Sequence, residues 1–197
     1  MQQESGRRSN RDRTEATRAD LIAAARKLFT EKSYAETGTP EIVAAAGVTR
    51  GALYHHFADK QALFGAVVEQ EAAAVAREIE KASPPALNAR DALIAGSDAY
   101  LTAMRAPGRT RLLLLDGPAV LGRAGMDAID NRHGNRSLRE GLVAAMRSGS
   151  MKKLPPEALT MLLASAFDRA ALAIEAGGSS EDYRAVLMAL FDGLSRA

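Results

Sequence analysis

Cysteine and tryptophan are absent from this chain, and five Phe and four Tyr are its only carbocyclic aromatics. Without thiols there is neither a disulfide scaffold nor a thiolate metal site, which fits a reducing compartment such as the cytoplasm. No apolar run approaches the ~20 residues that a membrane helix needs. The N-terminus, MQQESGRRSNRDR, lacks the apolar core of a secretory signal. The expectation is a soluble, cytoplasmic protein without a membrane partner. Signatures of catalysis are missing as well. There is no G-x-S-x-G, no H-E-x-x-H and no nucleotide-binding glycine loop after a strand. The three histidines, His55, His56 and His133, offer little to an active site, so an enzyme is not expected. Adjacent helical residues point ~100° apart, so His55 and His56 cannot chelate one metal together. No metal or cofactor is implied.

One further absence is local. From Ile42 to Ala58 there is no Asp or Glu, although a quarter of the chain is charged. The formal net charge is only +2, but its distribution is uneven. Residues 1–60 carry ten Lys/Arg against eight Asp/Glu, and the remainder carries sixteen of each, so the whole excess lies in the first third. A segment that excludes negative charge is suited to approach something negative.

What is present is helical. Hydrophobic residues make up 47% of 197 residues and are dominated by Ala and Leu, which favour packed helices over sheets. The first thirteen residues lack periodicity and are expected to form a disordered basic arm containing Arg7, Arg8, Arg11 and Arg13. Thr14 or Thr17 then caps a helix with Leu21, Ile22, Ala25, Leu28 and Phe29 on one face. A second helix is expected from Gly38-Thr39-Pro40-Glu41, with Thr39 as a plausible cap and Gly47 as its end. A third, capped by Thr49, runs to about His56, and Asp59 caps a long fourth that Ser83-Pro84-Pro85 stops.

Further helices are expected over Asn88–Arg105, Arg109–Leu121 with a kink at Pro118, Met126–Arg147, Pro155–Ala176 and Ser180–Arg196. The fold class is all-α. Residues 14–74 form an N-terminal three-helix helix–turn–helix domain (helix–turn–helix 37–56), and residues 75–197 form a C-terminal helical domain.

In a helix–turn–helix the second helix lies in the major groove with its first residues at the base edges. Here these are Thr49, Arg50, Gly51 and Ala52. The small residues permit close approach, and Arg50 can bond guanine O6 and N7 together, worth roughly 1–3 kcal/mol of discrimination. Thr49 can cap the helix and donate to a phosphate. Leu53 and Phe57 share an inward face, toward Ile42, Val43 and Leu28. Tyr54 and His55 are left free to reach backbone or base. Lys60, a cation in the first turn of a helix, opposes the dipole and is best explained by a phosphate bound there. The arginines of the arm could enter an adjacent minor groove.

These residues carry a resemblance. Leu28-Phe29, Tyr34, Thr37, Ile42, Ala46 through Gly51, Leu53 through Phe57, Lys60 and Leu63 resemble, at fixed spacing, the DNA-binding domain of TetR (tetracycline-repressor-like) bacterial regulators. Two positions depart from the family's pattern: Gly38 stands where Ser or Thr is common, and Ser33 where Gly is usual. The first shifts a phosphate contact or cap to Thr37 or Thr39.

Beyond residue 74 the resemblance thins. It implies a C-terminal effector-binding and dimerisation domain, with a homodimer built by the last two helices. Those helices are apolar around much of their circumference and need cover on more than one side. Candidate interface residues are Leu163 and Leu172, then Tyr183, Val186, Leu187, Leu190 and Phe191. Candidate pocket residues on the earlier helices are Tyr100, Met104, Leu112, Asp116, Leu121, Met126, Ile129 and His133. Those on the helix from Pro155 are Met161, Ser165, Phe167 and Asp168. The implied function is ligand-responsive transcriptional control, with partners in a double-stranded DNA operator, a second copy of the chain and a small-molecule effector. The alternative is a DNA-binding protein or activator without an effector.

Overall fold

The computed structural model describes residues 3–195, and side chains from residue 11 to 195. Among the described residues the chain is all-α, with no strand beyond an isolated bridge between Met151 and Ser195. None of these helices is long and apolar enough to cross a membrane.

Helix α1 spans Gln3–Lys32. This corrects the expected disordered arm: the helix starts eleven residues before Thr14. The segment is rich in residues that tolerate a helix, and Arg11 pairs with Glu15 one turn on at 3.1 Å. The described side chains of this stretch, Arg11 to Arg13, are exposed, so no apolar stripe marks the helix there. The side chains of Arg7 and Arg8 lie outside the described residues.

After α1 the chain turns at Ser33, whose φ of +104° is the left-handed conformation that glycine adopts without cost. Helix α2 (Thr39–Ala45) and helix α3 (Arg50–His56) follow, separated by a turn at Gly47. Helix α4 (Lys60–Ala82) starts at Asp59, whose carboxylate accepts from the Ala62 amide at 2.7 Å. Ile42, Leu53, Phe57, Leu63 and Phe64 join Leu21, Ala25 and Phe29 in one core, with Leu28 and Val43 against it. Phe29, Tyr34 and Phe64 form an aromatic trio with centroids 4.9–5.7 Å apart. The same core continues through Val67, Val68 and Val75 to Met104, Leu112, Leu113, Met126 and Ile129. Helix α4 therefore belongs to both halves of the molecule.

Helix α5 (Ala89–Ala103) is capped by Asn88. The next stretch differs from expectation. A π-helical segment covers Arg111–Asp116, and α6 (Gly117–Arg132) follows. Pro118 does not kink it, because in the first turn a missing N–H costs nothing. The break lies at Gly122 (φ 72°, ψ 168°). A second interruption at His133 separates α6 from α7 (Gly134–Arg147), where one continuous helix was expected. Helix α8 spans Pro156–Glu175 and α9 Ser180–Leu194, the latter capped by Ser179; Arg196, the expected end of α9, lies outside the described residues. Leu93, Leu101, Leu142, Leu163, Phe167, Leu187 and Phe191 form a second core between α5, α7, α8 and α9.

Candidate DNA interface and ligand cavity

Thr49 is the N-cap of α3, its hydroxyl accepting from the Ala52 amide at 3.2 Å. Arg50 follows, exposed, with its guanidinium carbon 5.5 Å from the Tyr54 ring centroid. That stacking holds the fork along the outer face of the helix. Tyr54 is 43% exposed, and His55 is exposed beside it. Gly51 is informative for what does not surround it. A Cβ placed there would meet nothing nearer than the Thr49 hydroxyl at 3.8 Å. Glycine inside a helix costs about 1 kcal/mol relative to alanine, and no packing among the described residues requires it.

Three expected contacts read differently in the structure. Thr37 is 1% exposed, and its hydroxyl donates to the Ser33 carbonyl at 2.7 Å and the Leu28 carbonyl at 3.3 Å. The end of α1 leaves carbonyls that need donors, and Thr37 supplies one, so it is not open to DNA. Thr39 is half-buried and is the first residue of α2, not its cap; Gly38 holds the cap position and contributes no side-chain bond. Lys60 is half-buried, and its ammonium donates to the carbonyls of Tyr34 at 2.9 Å and Thr37 at 3.1 Å. It also lies 4.1 Å from the Tyr34 ring centroid. A cation in this first turn is thus explained by the 33–38 loop without any phosphate.

Arg18 was not singled out from sequence. It is exposed on α1 with its guanidinium carbon 5.2 Å from the Phe57 ring, which places a cation beside the end of α3. No acid-free run marks it in the sequence; only packing of α1 on α3 brings it there. His56, half-buried, has its pKa lowered by burial, then by His55 and Arg18, which favours its neutral form.

The second half of the molecule encloses a cavity of about 1020 Å³ among α4, α5, the π-helical segment, α6, α7 and α8. Tyr100, Met104, Met126, Met161, Ser165, Phe167 and Asp168 line it. The remaining expected pocket residues do not. Leu112 and Ile129 are buried in the first core, and Leu121 packs toward Gly65 of α4. Asp116 accepts from the Tyr34 amide at 3.4 Å and lies 3.4 Å from Arg111. His133 is bonded to Glu69 at 2.6 Å. Each is held by a neighbour that sequence spacing does not reveal.

Lining residues missed in the sequence include Asp130, Asp127 and Arg123. Burial, reinforced by Asp168 and Asp127, pushes the Asp130 carboxyl up to about 6. Tyr100 donates its hydroxyl to Asp168 at 2.6 Å, and burial followed by that carboxylate holds the phenol well above its ordinary value. Burial also raises Asp168, against the hydrogen bond from Tyr100. No cluster of three or more acidic or histidine side chains among the described residues is arranged to hold a metal.

The expected interface residues divide by face. Leu163, Leu187 and Phe191 are 6%, 4% and 2% exposed inside the second core, which removes them from any interface. Leu172 and Tyr183 are half-buried, Leu172 against the cavity. Val186 and Leu190 are 60% and 46% exposed, and Leu162 of α8, missed in the sequence, is 71% exposed.

The two halves are joined by polar contacts as well as by the shared core. Glu71 of α4, 5% exposed, receives Arg26 of α1 at 2.7 Å and Arg109 at 2.8 Å. Burial would raise this carboxyl, but the hydrogen bonds from both guanidinia outweigh it and hold the pKa below the ordinary value. Gln61 at the start of α4 donates to the Val120 carbonyl of α6 at 2.7 Å. Gly108 (φ 73°) lies so close to α1 that a Cβ there would come within 2.4 Å of the Thr30 side chain.

Comparison with known proteins agrees with both halves. Residues 21–67 match the model of bacterial regulatory proteins of the tetR family, and residues 90–197 match a tetracyclin repressor-like C-terminal domain. A TetR-family transcriptional regulator from Pectobacterium atrosepticum, solved by crystallography, is 36% identical over 95% of this chain and 98% of its own, with a TM-score of 0.77. The regulator AcrR of Shigella flexneri is 40% identical over 62 residues, 32% of this chain and 29% of AcrR. The repressor AcnR of Corynebacterium efficiens is 33% identical over 70 residues, 36% of this chain and 37% of AcnR. The chain thus matches these two over about a third of their length. The matched families and relatives are transcriptional regulators, not enzymes.

Proposed function

Because this chain belongs to the TetR family of DNA-binding transcriptional regulators, we propose that it is a cytoplasmic, ligand-responsive repressor. It holds a palindromic operator as a homodimer and releases it when a small molecule occupies the C-terminal cavity. Residues 14–74 form the DNA-reading unit and residues 75–197 the sensing and pairing unit, with α4 common to both. Arg50 reads base edges; Thr49, Tyr54 and His55 contact backbone or base, and Arg18 adds a phosphate contact. Gly51 lets the start of α3 close on the groove.

One observation carries the ligand-responsive part: the stretch that lines the cavity also grips the DNA-reading half. Leu113, Leu114, Pro118, Arg123 and Met126 border the cavity. On the same stretch, Asp116 accepts from the Tyr34 amide and Val120 accepts from Gln61. Tyr34 in turn receives Lys60 at the first turn of α4. A ligand that reshapes the π-helical segment or the break at Gly122 therefore acts on α4 at its DNA-proximal end. Coupling of about 1–3 kcal/mol, or 5–150-fold in affinity, is enough for a switch of this kind.

Pairing uses the apolar face of Leu162, Val186 and Leu190. A two-fold dimer presents two recognition helices to half-sites about 34–36 Å apart or a multiple of that. The test is selection from an unbiased duplex pool, followed by footprinting. A repressor yields one or two protected palindromes and binding that weakens steeply with salt. Uniform coating of DNA, or no preference at low salt by folded protein, rejects the proposal.

A further inference from the structure

We propose that the effector is an organic cation, a protonated amine or quaternary ammonium group on an apolar body, seated with its charge at Asp130 and Asp168. This rests on reading the cavity as the effector site. The lining is mostly apolar: Met104, Leu113, Met126 and Phe167 surround a space of about 1020 Å³. Tyr100 and Phe167, both in the lining, stand edge to face at 5.7 Å and add aromatic surface to it. Methionines adapt to irregular shapes, so the apolar body is loosely specified.

The charge is better specified than the shape. Asp127, Asp130 and Asp168 line the cavity, together with Glu80 and Glu140. Among the described residues, no Lys or Arg forms a salt bridge with any of the three aspartates. Asp168 has the Tyr100 hydroxyl as a donor. The half-buried carboxylate of Asp130 accepts no hydrogen bond from a described residue; the charges that act on it are Asp168 and Asp127, with His133 opposing them. Arg123 and Arg169 also line the cavity but are exposed, where solvent screens them. Glu80 and Glu140 are exposed like the two arginines, and Glu80 pairs with Arg136 at 3.4 Å. The half-buried charged members of the lining are thus Asp127, Asp130 and Asp168, all acids. Two neighbouring carboxyls in an apolar recess repel one another and are poorly solvated. A cation that enters the cavity beside these carboxyls relieves both penalties, whereas an anion increases them. The raised pKa of Asp130 is the same penalty seen through its proton.

The charge class can be tested with two ions of nearly identical shape and opposite sign, tetraphenylphosphonium and tetraphenylborate, titrated calorimetrically into the full-length chain at pH 7.5. The smaller benzyltriethylammonium ion covers the case of a narrower entrance. At least one cation is expected to bind about tenfold or more tightly than tetraphenylborate. Asp130→Asn and Asp168→Asn should each lower that cation's affinity by about tenfold to a hundredfold. Both substitutions keep shape, and an asparagine at 168 can still accept from Tyr100; circular dichroism verifies the fold. Equal binding of both signs, preference for the anion, no binding of either cation, or a preference that survives both substitutions overturns the proposal. An anionic or neutral probe that fills the cavity and releases operator DNA would overturn the charge class and leave the repressor reading standing. Failure of operator selection would remove that reading by itself.

Discussion

The carboxylate of Glu71 and the guanidinium of Arg109 meet at 2.8 Å in a site where both side chains are under 10% exposed. The pair joins α4 to the helical turn that leads into the π-helical segment, and Arg26 of α1 completes it from the DNA-reading half at 2.7 Å. Arg109 also donates to the Ala103 carbonyl at 2.6 Å and to Glu78 at 3.2 Å, so its charge is surrounded by acceptors. An arrangement this enclosed holds the two halves in one relative position.

Removing the charge of Glu71 leaves two guanidinia facing a neutral group, one of them buried. Glu71→Gln is expected to destabilise the protein by about 2–4 kcal/mol, since breaking a buried pair costs more than forming it gains. In a chain of this size the melting temperature should drop by roughly 5–15 °C. The pH dependence has a definite sign. The folded-state pKa lies below the unfolded value of 4.5, so the contribution is complete above that value and disappears as pH falls through the folded pKa. The variant's melting temperature should therefore converge on that of the parent in acid. A variant as stable as the parent at pH 7 would show that the ion pair is dispensable.

At the DNA surface, stability and binding should separate. Arg50 is exposed and, among the described residues, stacks only on Tyr54, so Arg50→Ala should leave the melting temperature within about 2 °C. Its operator discrimination should fall by about 1–3 kcal/mol at the contacted base pair. Gly51→Ala should raise helix stability by up to about 1 kcal/mol and yet weaken operator binding, because the added methyl group stands between backbone and groove. Calorimetry and competition binding on the same preparations read both effects. Tighter operator binding by the alanine variant would remove Gly51 from the contact surface.

Much of this arrangement is legible in the sequence, for reasons that differ along the chain. The caps Thr49 and Asp59 and the inward pair Leu53 and Phe57 follow from local spacing, because each acts within one or two turns of itself. Thr37 and Lys60 mislead because their partners belong to a loop whose path spacing does not give. Glu71 and Arg109 are 38 positions apart, and nothing near either residue marks the other as its partner. Helix α9 illustrates a further limit. Apolar residues around most of its circumference reveal a need for cover but not which side is already covered. Phe191 and Leu187 face the chain's own core, whereas Val186 and Leu190 face outward. Proline is the stronger local signal, so the sequence points to a kink at Pro118 in a helix over 109–121; its place in the first turn of α6 makes it harmless, and Gly122 carries the bend.

That division of faces sets up a comparison at the proposed dimer interface. Leu162→Asp combined with Val186→Asp places charge on residues 71% and 60% exposed, so the protomer should fold and sediment as a monomer. Phe191→Asp puts a carboxylate into the second core and should cost several kcal/mol of fold stability, lost through burial of an unpaired charge. Sedimentation velocity and thermal melts distinguish the two. A dimer that persists in the doubly substituted, folded chain would place pairing on another surface.

Asp130 carries a prediction of opposite sign to that of Glu71. Its folded-state pKa of about 6 lies above the unfolded value of 3.8, so ionisation works against folding. The penalty is absent below the unfolded value, grows as pH rises toward 6 and is complete above it. Asp130→Asn removes the charge and keeps the shape, and should stabilise the chain at pH 7.5 by about 1–3 kcal/mol. The gain should shrink at pH 5 and vanish in more acid solution. Urea denaturation of both proteins at pH 5 and 7.5 measures it directly. A residue whose neutral counterpart is more stable, yet binds cations worse, is one kept for its ligand and not for its fold. If the asparagine variant is instead less stable at pH 7.5, the carboxylate has favourable partners within the protein, and the charge facing the cavity is not free for a ligand.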